Sequence, residues 1–411
     1  MNRWKAIVAV LVVSCGWCAA AERNDGGAIR ELSVEQAIRI ALTNHPHFAE
    51  VMANIEASKA RAEVAGRLPN PEAVARMESA PISSGATSQA EYVAGISQTI
   101  PLGRRLSAAR EAQQAGVELR RKELEAAALE LAKSVRSAFA TALFASEALK
   151  AQTNLGGNLA ELVRIARARV EQGDAPAVDL ARLEAEEAEQ RLEIKEAEYL
   201  RHEAIDALAT ALGNFRIPIE SLAGNLEETL RIAELRNAVK GIDSHPGVAA
   251  MEGAVEAQRA RVRLAQAERI PDVNLDLLYR RLQGTREDAF DVGVRVPIPV
   301  FGKSRSRVRA AESELRAAEA RLENARNEIG HELHARELAL ERALQAVALL
   351  RDEVLPKMDV TLRAMQARYA AGDVALSELI LARRDASASR MKYLGALRDV
   401  MQAWAGLRPV K

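Results

Sequence analysis

The chain repeats its own pattern of helix starts and helix ends after about 200 residues. A His-Pro pair opens one helical segment at residue 45 and another at residue 245, 200 positions later. Two further glycine pairs recur at an offset of 199, namely Gly103 with Gly302 and Gly173 with Gly372. Chance similarity between alanine-rich helices would not keep prolines and glycines in register. We therefore predict an internal duplication, with repeats over residues 32–215 and 227–408.

Each repeat contains a long stretch that favours helix. Residues 104–171 contain no proline and have the adjacent Gly156 and Gly157 as their weak point, whereas residues 303–371 have Gly330 and Pro356 as weak points. Alanine dominates the hydrophobic share of 48%, and alanine, leucine, glutamate and arginine are good helix formers. At roughly 1.5 Å per residue each stretch would be about 100 Å long. Such a length predicts coiled-coil packing.

Shorter helical segments follow these stretches, at residues 178–212 and 376–407. Gly173 and Gly372 precede them and are suited to the left-handed conformation that ends many helices. Each half is therefore predicted to form a long antiparallel helical hairpin with its tip near one of these two glycines.

Between the helices, side chains alternate with a period of two. Residues 273–280 and 290–296 place apolar side chains on one face and polar or small ones on the other, and residues 73–78 and 92–100 do so more weakly. A hairpin on a soluble core would also alternate. Here the second face carries full charges, as in a strand between lipid and a watery lumen. Tyr92, Tyr279 and Phe290 lie near the connecting loops, where an interfacial aromatic belt would lie.

Four strands per chain are too few to close a barrel, and lipid does not tolerate open strand edges. If the strands span a membrane, the chain must therefore form an oligomer. Two copies would give eight strands and a filled interior, whereas three would give twelve strands and a lumen. This argument favours three copies over two and leaves larger numbers open.

The N-terminus is typical of an export signal. Arg3 and Lys5 precede an apolar stretch at residues 6–14, and three alanines end at Ala21, so we predict a signal peptide over residues 1–21. The stretch before Cys15 also resembles a bacterial lipobox, which would give a lipoprotein signal over residues 1–14 and a lipidated Cys15. Both alternatives stay open. Cleavage after Ala21 would remove both cysteines, so no disulfide framework is expected.

Charge and motifs argue against several classes of function. Lys plus Arg and Asp plus Glu both number 57, so no basic field is available for nucleic acid. We find no phosphate-binding glycine loop and no nucleophile motif, and expect no catalytic residues, metal site or cofactor. His331 and His334 are spaced one residue too closely for a zinc-protease helix, because Ala335 stands where the second histidine is needed. A solvated helix face is the favoured interpretation. A hydrolytic or metal-binding enzyme and a structural periplasmic coiled coil remain the alternatives.

Taken in order, these motifs resemble the TolC-like outer-membrane efflux proteins over residues 32–407. The resemblance lies in the tandem repeat, both His-Pro helix starts and both Gly-Asp helix turns. It extends to the proline-rich entrances to the strands and to their ends at residues 101–103 and 299–302. The segment Leu68-Pro69-Asn70-Pro71 and the basic residues after Gly103 and Gly302 look more like the heavy-metal, CzcC-like branch than the drug-export branch.

The resemblance implies a mainly α fold with a small β part. Long helical hairpins would form an α-barrel through the periplasm, and four strands per chain would contribute to a homotrimeric 12-stranded barrel in the Gram-negative outer membrane. It further implies passive conduction of metal cations or small organic compounds. The partners would be outer-membrane lipid, a periplasmic adaptor and an inner-membrane pump of the RND type.

The resemblance also implies roles for the helix tips. Acidic residues just after each turn line the periplasmic gate in this family, and the matching positions are Asp179 and Glu378. Another gate carboxylate of the family falls on Leu381, so that ring is absent. The alternative role of both acids is to interact with the helix dipole. The candidates for adaptor contact are Gly173, Asp174, Gly372 and Asp373.

Overall fold

A computed structural model describes residues 29–79, 90–173, 175–214, 217–227, 242–298 and 301–407. The predicted signal peptide, Cys15 and Asp174 lie outside the described residues, so the expectations for them stay predictions. The chain divides into two compact units, each assembled from both halves of the sequence. Unit 1 comprises Met1–Ala49, Ala127–Lys240 and His331–Lys411, and unit 2 comprises Glu50–Ala126 and Gly241–Gly330.

Helices dominate the described residues. In chain order the elements are β1 (Ile29–Leu32), α1 (Val34–Asn44), α2 (Pro46–Val64), β2 (Glu72–Glu78), β3 (Glu91–Ile100), α3 (Arg105–Glu171), α4 (Ala177–Ala211), β4 (Ile219–Leu222), a 3-10 turn (Ile242–Ser244), α5 (Pro246–Ala267), β5 (Val273–Leu282), β6 (Glu287–Arg295), α6 (Lys303–Leu349), a π segment (Leu350–Val354), α7 (Leu355–Ala371) and α8 (Leu376–Ala405). This order confirms the predicted mainly α fold with a small β part.

The two long helices end where the glycines predicted, but their interiors differ. Helix α3 runs for 67 residues and passes through Gly156 and Gly157 without a break. In the second half, α6 gives way to the π segment just before Pro356. Proline has no N–H to donate to the preceding turn and its ring crowds the carbonyl four residues back, so the helix widens there instead of continuing.

Polar contacts within unit 1 show that α3 and α4 are antiparallel. Near the turn, Arg167 contacts Glu184 at 2.8 Å. Farther from the turn, the Gln190 amide donates to the Gln152 side-chain oxygen at 2.9 Å. This arrangement agrees with the predicted helical hairpin. Among the described residues, no helix combines the length and the apolar character needed to cross a bilayer.

The core of unit 1 lies where α3, α4 and α8 meet the short elements. Leu208, Leu397 and Val135 are almost completely buried there, together with the aromatic side chains of Phe139 and Tyr393. The short strands β1 and β4 pair in parallel beside them. Burying each such side chain contributes roughly 1.5–3 kcal/mol to the stability of the fold. This region therefore anchors the base of both hairpins.

The two histidines before prolines form helix starts, as predicted. The Nδ1 atom of His45 accepts from the His47 backbone N–H at 3.2 Å. The Nδ1 atom of His245 accepts from the Gly247 backbone N–H at 3.1 Å, at the N-cap of α5. Each imidazole thus satisfies a backbone donor that the first turn leaves without an intrahelical partner.

Unit 2 contains a four-stranded antiparallel sheet in the order β2-β3-β5-β6. Its central pair joins the two halves of the sequence, since β3 pairs with β5 from Glu91 opposite Leu282 to Ile100 opposite Val273. This register lines up the side chains of four strands in rows across the sheet. The sheet therefore has two faces that are each composed of residues from both halves.

Candidate functional site

One face of the sheet is apolar and exposed. The exposed side chains of this face are Ala73, Ala75, Met77, Tyr92, Ala94, Ile96, Leu275, Leu277, Tyr279, Phe290, Val292 and Val294. Val292 and Phe290 are 78% and 76% exposed, although burial of apolar side chains is normally a main source of stability. A contiguous apolar surface of this kind marks a contact with lipid or with another protein.

The apolar face ends at a polar row near the loops. Arg281 forms an ion pair with Asp288 at 2.6 Å, and the Tyr279 hydroxyl donates to the same carboxylate at 2.8 Å. The ring of Tyr279 contacts that of Phe290 edge to face, with centroids 5.7 Å apart. Aromatic rings with a polar neighbour are typical of the boundary between an apolar layer and water. The structure thus places the predicted aromatic residues at the loop end.

The opposite face is a network of ion pairs and hydrogen bonds. Asp276 accepts from the Ser97 hydroxyl at 2.6 Å and forms an ion pair with Arg295 at 2.9 Å. The Thr99 hydroxyl donates to the Asn274 side chain at 2.6 Å. These contacts cross from strand to strand, so they stabilise the register while they keep the face polar.

At the loop end of this polar face, Arg280 connects the strands through ion pairs. Its guanidinium forms ion pairs with Asp291 at 2.8 Å, with Glu78 at 3.3 Å and with Glu91. The three carboxylates come from β6, β2 and β3, whereas Arg280 lies on β5. One cation therefore contacts a carboxylate on each of the other three strands.

The helix tips lie in unit 1 and contain the predicted turn glycines. Gly173 has φ of +79° and Gly372 has φ of +83°. An added Cβ would meet nothing within 4 Å at either position. Glycine is therefore needed for the left-handed backbone and not for space. Asp373 is exposed and its backbone N–H donates to the Arg368 carbonyl at 2.9 Å.

The two predicted gate carboxylates have different surroundings. Asp179 and Glu378 both lie in the first turn of a helix, α4 and α8 respectively, where the helix dipole favours a negative charge. Asp179 is half-buried and faces α7: burial first, and then the charge of Asp179, raise the pKa of Tyr369. Glu378 is exposed, as is Leu381. The structure thus brings Asp179 near Tyr369 of the neighbouring hairpin.

Two adjacent arginines on α8 link it to the other hairpin. Arg383 donates to the Leu155 carbonyl at 3.0 Å, next to the glycine pair of α3. Arg384 contacts Glu189 at 2.7 Å and Glu186 of α4 through two nitrogens. Burial lowers the pKa of Arg383, although a guanidinium stays charged at physiological pH. These contacts hold the return helices of the two hairpins together.

The two histidines considered as metal ligands are exposed on α6. The carboxylate between them, Glu332, is in ion pairs with Lys133 and Arg336, each at 2.7 Å. The hydrogen bond from Lys133 is the main cause that lowers the pKa of Glu332. Within the described part of the chain, no group of three His, Cys, Asp or Glu side chains is arranged to hold a metal ion.

The sequence profile of outer membrane efflux proteins matches residues 37–214 and 240–410. The chain belongs to the outer membrane efflux protein family. Its resemblance to TolC-like proteins is thus confirmed for most of its length, and the family and fold are those of channel proteins and not of enzymes.

This outer membrane efflux protein is similar to two relatives, and it covers most of the length of each. It is 24% identical over 377 residues to the cobalt-zinc-cadmium resistance protein CzcC of Cupriavidus metallidurans, covering 90% of this chain and 88% of that protein. It is 26% identical to the pyoverdine export outer membrane protein OpmQ of Pseudomonas aeruginosa, covering 92% and 89%. Its fold is also that of the CusC channel, with a TM-score of 0.76 at 16% identity over 91% and 90% of the two chains.

Three features of this outer membrane efflux protein were missed by sequence reasoning. These are the Arg280 network, the Arg383–Arg384 link and the approach of Asp179 to Tyr369. The charged residues were visible in the sequence, but their partners are between 11 and 228 positions away. No spacing rule pairs residues at such distances, and only the strand register and helix packing reveal them.

Proposed function

We propose that three copies of this chain form an export channel through the outer membrane, with the four-stranded sheets pooled into one barrel. The observation that carries the proposal is the division of the sheet into an exposed apolar face and an ion-paired polar face. Lipid would cover the first face and water would fill the space along the second, as in barrels with an aqueous lumen.

Strand length and strand edges support the barrel. Strands β3, β5 and β6 contain 10, 10 and 9 residues, and a tilted strand of about 9–11 residues spans a bilayer. Strands β2 and β6 are the outer strands of the sheet. In lipid their free backbone groups require partners. Pairing β6 of one copy with β2 of the next would close twelve strands around a lumen.

Exposed apolar stripes on the helices support packing between copies. On α4, every seventh residue from Val178 to Tyr199 is exposed and apolar, and Tyr199 is 74% exposed. On α6 and α7, the exposed side chains Leu338, Leu349 and Val360 recur every eleven residues. Repeats of seven and eleven are the two periods with which helices follow a partner over long distances. Neighbouring copies would cover both stripes in a periplasmic α-barrel.

The remaining assignments follow from the same proposal. Asp179 and Glu378 would form carboxylate rings at the periplasmic entrance, and such rings favour cations. A periplasmic adaptor would bind at the tips formed by Gly173, Asp174, Gly372 and Asp373, and would connect the channel to an inner-membrane RND-type pump. The repeats would span residues 32–215 and 227–408. Export would remove residues 1–21, or residues 1–14 with lipidation of Cys15.

Metal cations are the cargo that we propose. The similarity to a cobalt-zinc-cadmium resistance protein favours metals, whereas the similarity to a pyoverdine export protein keeps small organic compounds as the alternative. Deleting the gene and measuring survival on cobalt, zinc, copper and several drugs separates the two. Loss of resistance to metals alone, restored by the wild-type gene, is the expected result. Loss of drug resistance alone would contradict it.

The channel itself is tested with matched charges on the two faces of β6. Val292→Asp places a carboxylate on the apolar face, and Ala289→Asp places one on the polar face opposite Arg280. We expect wild type and Ala289→Asp to purify from membranes as detergent-solubilised trimers that conduct ions in planar bilayers. Val292→Asp should insert and assemble less well, since a charged side chain on the lipid face destabilises a barrel, by about 2–4 kcal/mol for Arg or Lys at the midplane and by less for a carboxylate, and three copies each carry it. A detergent-independent monomer, or equal behaviour of both variants, would refute the proposal.

A further inference from the structure

We infer that Arg280 sets the ion selectivity of the barrel at its loop end, by neutralising a carboxylate from each of the other three strands. This inference rests on the proposed function, because it requires the polar face of the sheet to line the lumen. It adds a selectivity element in the barrel, in unit 2, that is separate from the carboxylates at the helix tips in unit 1.

The polar face carries an excess of carboxylates. Alternation along the four strands places six acids and three arginines on it: Glu72, Glu78, Glu91, Asp276, Glu287 and Asp291 with Arg76, Arg280 and Arg295. Arg295 is paired with Asp276 at 2.9 Å, and Arg76 with Glu78 at 3.2 Å. Of the four acids outside these two pairs, Arg280 contacts two, Glu91 and Asp291, and it also shares Glu78 with Arg76.

The geometry of the Arg280 guanidinium lets it contact several carboxylates at once, which a neighbouring side chain could not do in its place. Its Nε and Nη2 atoms contact Asp291 at 2.9 and 2.8 Å, while Nη1 contacts Glu78 and Glu91. The planar guanidinium presents five donors at once, which an ammonium group does not. Loss of this side chain would leave Glu91 and Asp291 without their ion pair in each copy, which makes six carboxylates in a ring of three copies, because Glu78 also contacts Arg76.

The next residue in the chain provides the matched control. Arg281 also forms an ion pair, with Asp288 at 2.6 Å, and lies at the same end of the sheet. Because successive residues of a strand point to opposite faces, Arg281 belongs to the row that ends the apolar face. Removing either arginine changes the net charge equally, but only Arg280 faces the proposed lumen.

The test compares Arg280→Gln with Arg281→Gln as full-length trimers in planar bilayers under a KCl gradient. We expect Arg280→Gln to raise the ratio of potassium to chloride permeability roughly threefold, since one unpaired charge several ångströms from an ion in water is worth about RT. Arg281→Gln should leave the ratio at the wild-type value. The difference should shrink at about 1 M salt, where charges are screened within about 3 Å.

An unchanged ratio in Arg280→Gln, or the same shift in both variants, would overturn the inference while leaving the channel intact. If Arg280→Gln does not assemble, Asp291→Asn provides the reverse test: it should lower the permeability ratio, because the positive charge of Arg280 is then less compensated, and a ratio at or above wild type would overturn the inference. A wild-type protein that assembles but conducts no ions would instead refute the proposed function, and this inference with it.

Discussion

The long helix of the first half and its counterpart in the second half have different residues at one equivalent position of the repeat. Gly157 lies inside the continuous helix α3. Pro356, 199 positions later, follows the π segment that separates α6 from α7. Glycine permits many backbone conformations and imposes none. Proline removes a backbone N–H donor and therefore forces a change in the helical hydrogen bonds.

This difference shows how the two halves of a duplicated sequence can differ in helix continuity. The first hairpin keeps an unbroken series of helical hydrogen bonds, which the adjacent Gly156 and Gly157 only weaken. The second hairpin has a permanent defect at the equivalent place, and π segments of this kind are common at functional sites. Arg383 donates to the Leu155 carbonyl at 3.0 Å beside the glycine pair, so the return helix of the second half is attached where the first helix is weakest.

The largest expected effect comes from giving the first half the residue of the second. Gly157→Pro should destabilise the protein by about 3 kcal/mol or more, because proline in a helix interior removes a hydrogen bond and clashes with the preceding turn. Thermal unfolding followed by circular dichroism measures the loss. Pro356→Ala is the matched change, and it should alter stability by less than about 1 kcal/mol. Equal effects of both variants would contradict the contrast between the two helices.

A smaller effect is expected where the two tips differ in packing. Near the tips, Leu379 is 1% exposed in a cluster with Leu159, Leu183 and Leu376, whereas its repeat counterpart Leu180 is only partly buried. Leu379→Ala should therefore cost about 2–3 kcal/mol, and Leu180→Ala about half of that. Unfolding of the two variants in the same detergent gives the comparison. A larger loss in Leu180→Ala would show that the first tip carries more of the packing energy.

The two adjacent glycines of α3, Gly156 and Gly157, should themselves respond differently to alanine. Gly157→Ala should stabilise the helix by roughly 0.5–1 kcal/mol, because an added Cβ meets nothing within 4 Å. Gly156→Ala should increase stability by less, since its Cβ would lie 2.8 Å from the Cδ1 atom of Ile194, and that side chain would have to move. The unfolding midpoints of the two variants measure this difference. A loss of stability in Gly157→Ala would mean that α3 needs the freedom of glycine.

The smallest expected effect concerns the two acidic residues after the turns. Because Asp179 adds to burial in raising the pKa of Tyr369, Asp179→Asn should lower that pKa part of the way back, and Glu378→Gln should not. Folding favours the neutral phenol, so its contribution to stability is complete below the unfolded pKa of about 10 and is lost as the pH rises past it. Phenolate absorbance, with Tyr369→Phe as the blank, reports the titration. Identical curves for both variants would show that Asp179 is not the nearby charge.

Much of the helical fold follows from single residues. Gly173 and Gly372 predict the tips because few other residues adopt a positive φ without strain. The alternation from Val273 to Arg280 predicts a strand because its period is that of a pleated backbone. In both cases the cause is local, so the printed sequence is sufficient.

Other features depend on contacts that no local pattern contains. Pro356 indicated a weak point, but whether the helix stops or widens depends on the packing around it. The charges near Arg280 predicted a polar face, yet its three partners follow only from the register of four strands. The roles of Asp179 and Glu378 stay predictions, since both also fulfil the simpler role of an acidic residue in a first helical turn.

The pairing of β3 with β5 has a consequence for how the protein is made. The paired residues are between 173 and 191 positions apart, from Ile100 with Val273 to Glu91 with Leu282. Contacts across such separations form slowly, because the intervening chain must close a large loop first. Until residue 282 is available, β2 and β3 form a two-stranded ribbon with an uncovered apolar surface and free edges, which is marginally stable and prone to aggregate. The newly synthesised first half therefore has to be protected from association with other chains until the second half has been synthesised and β5 can pair with β3.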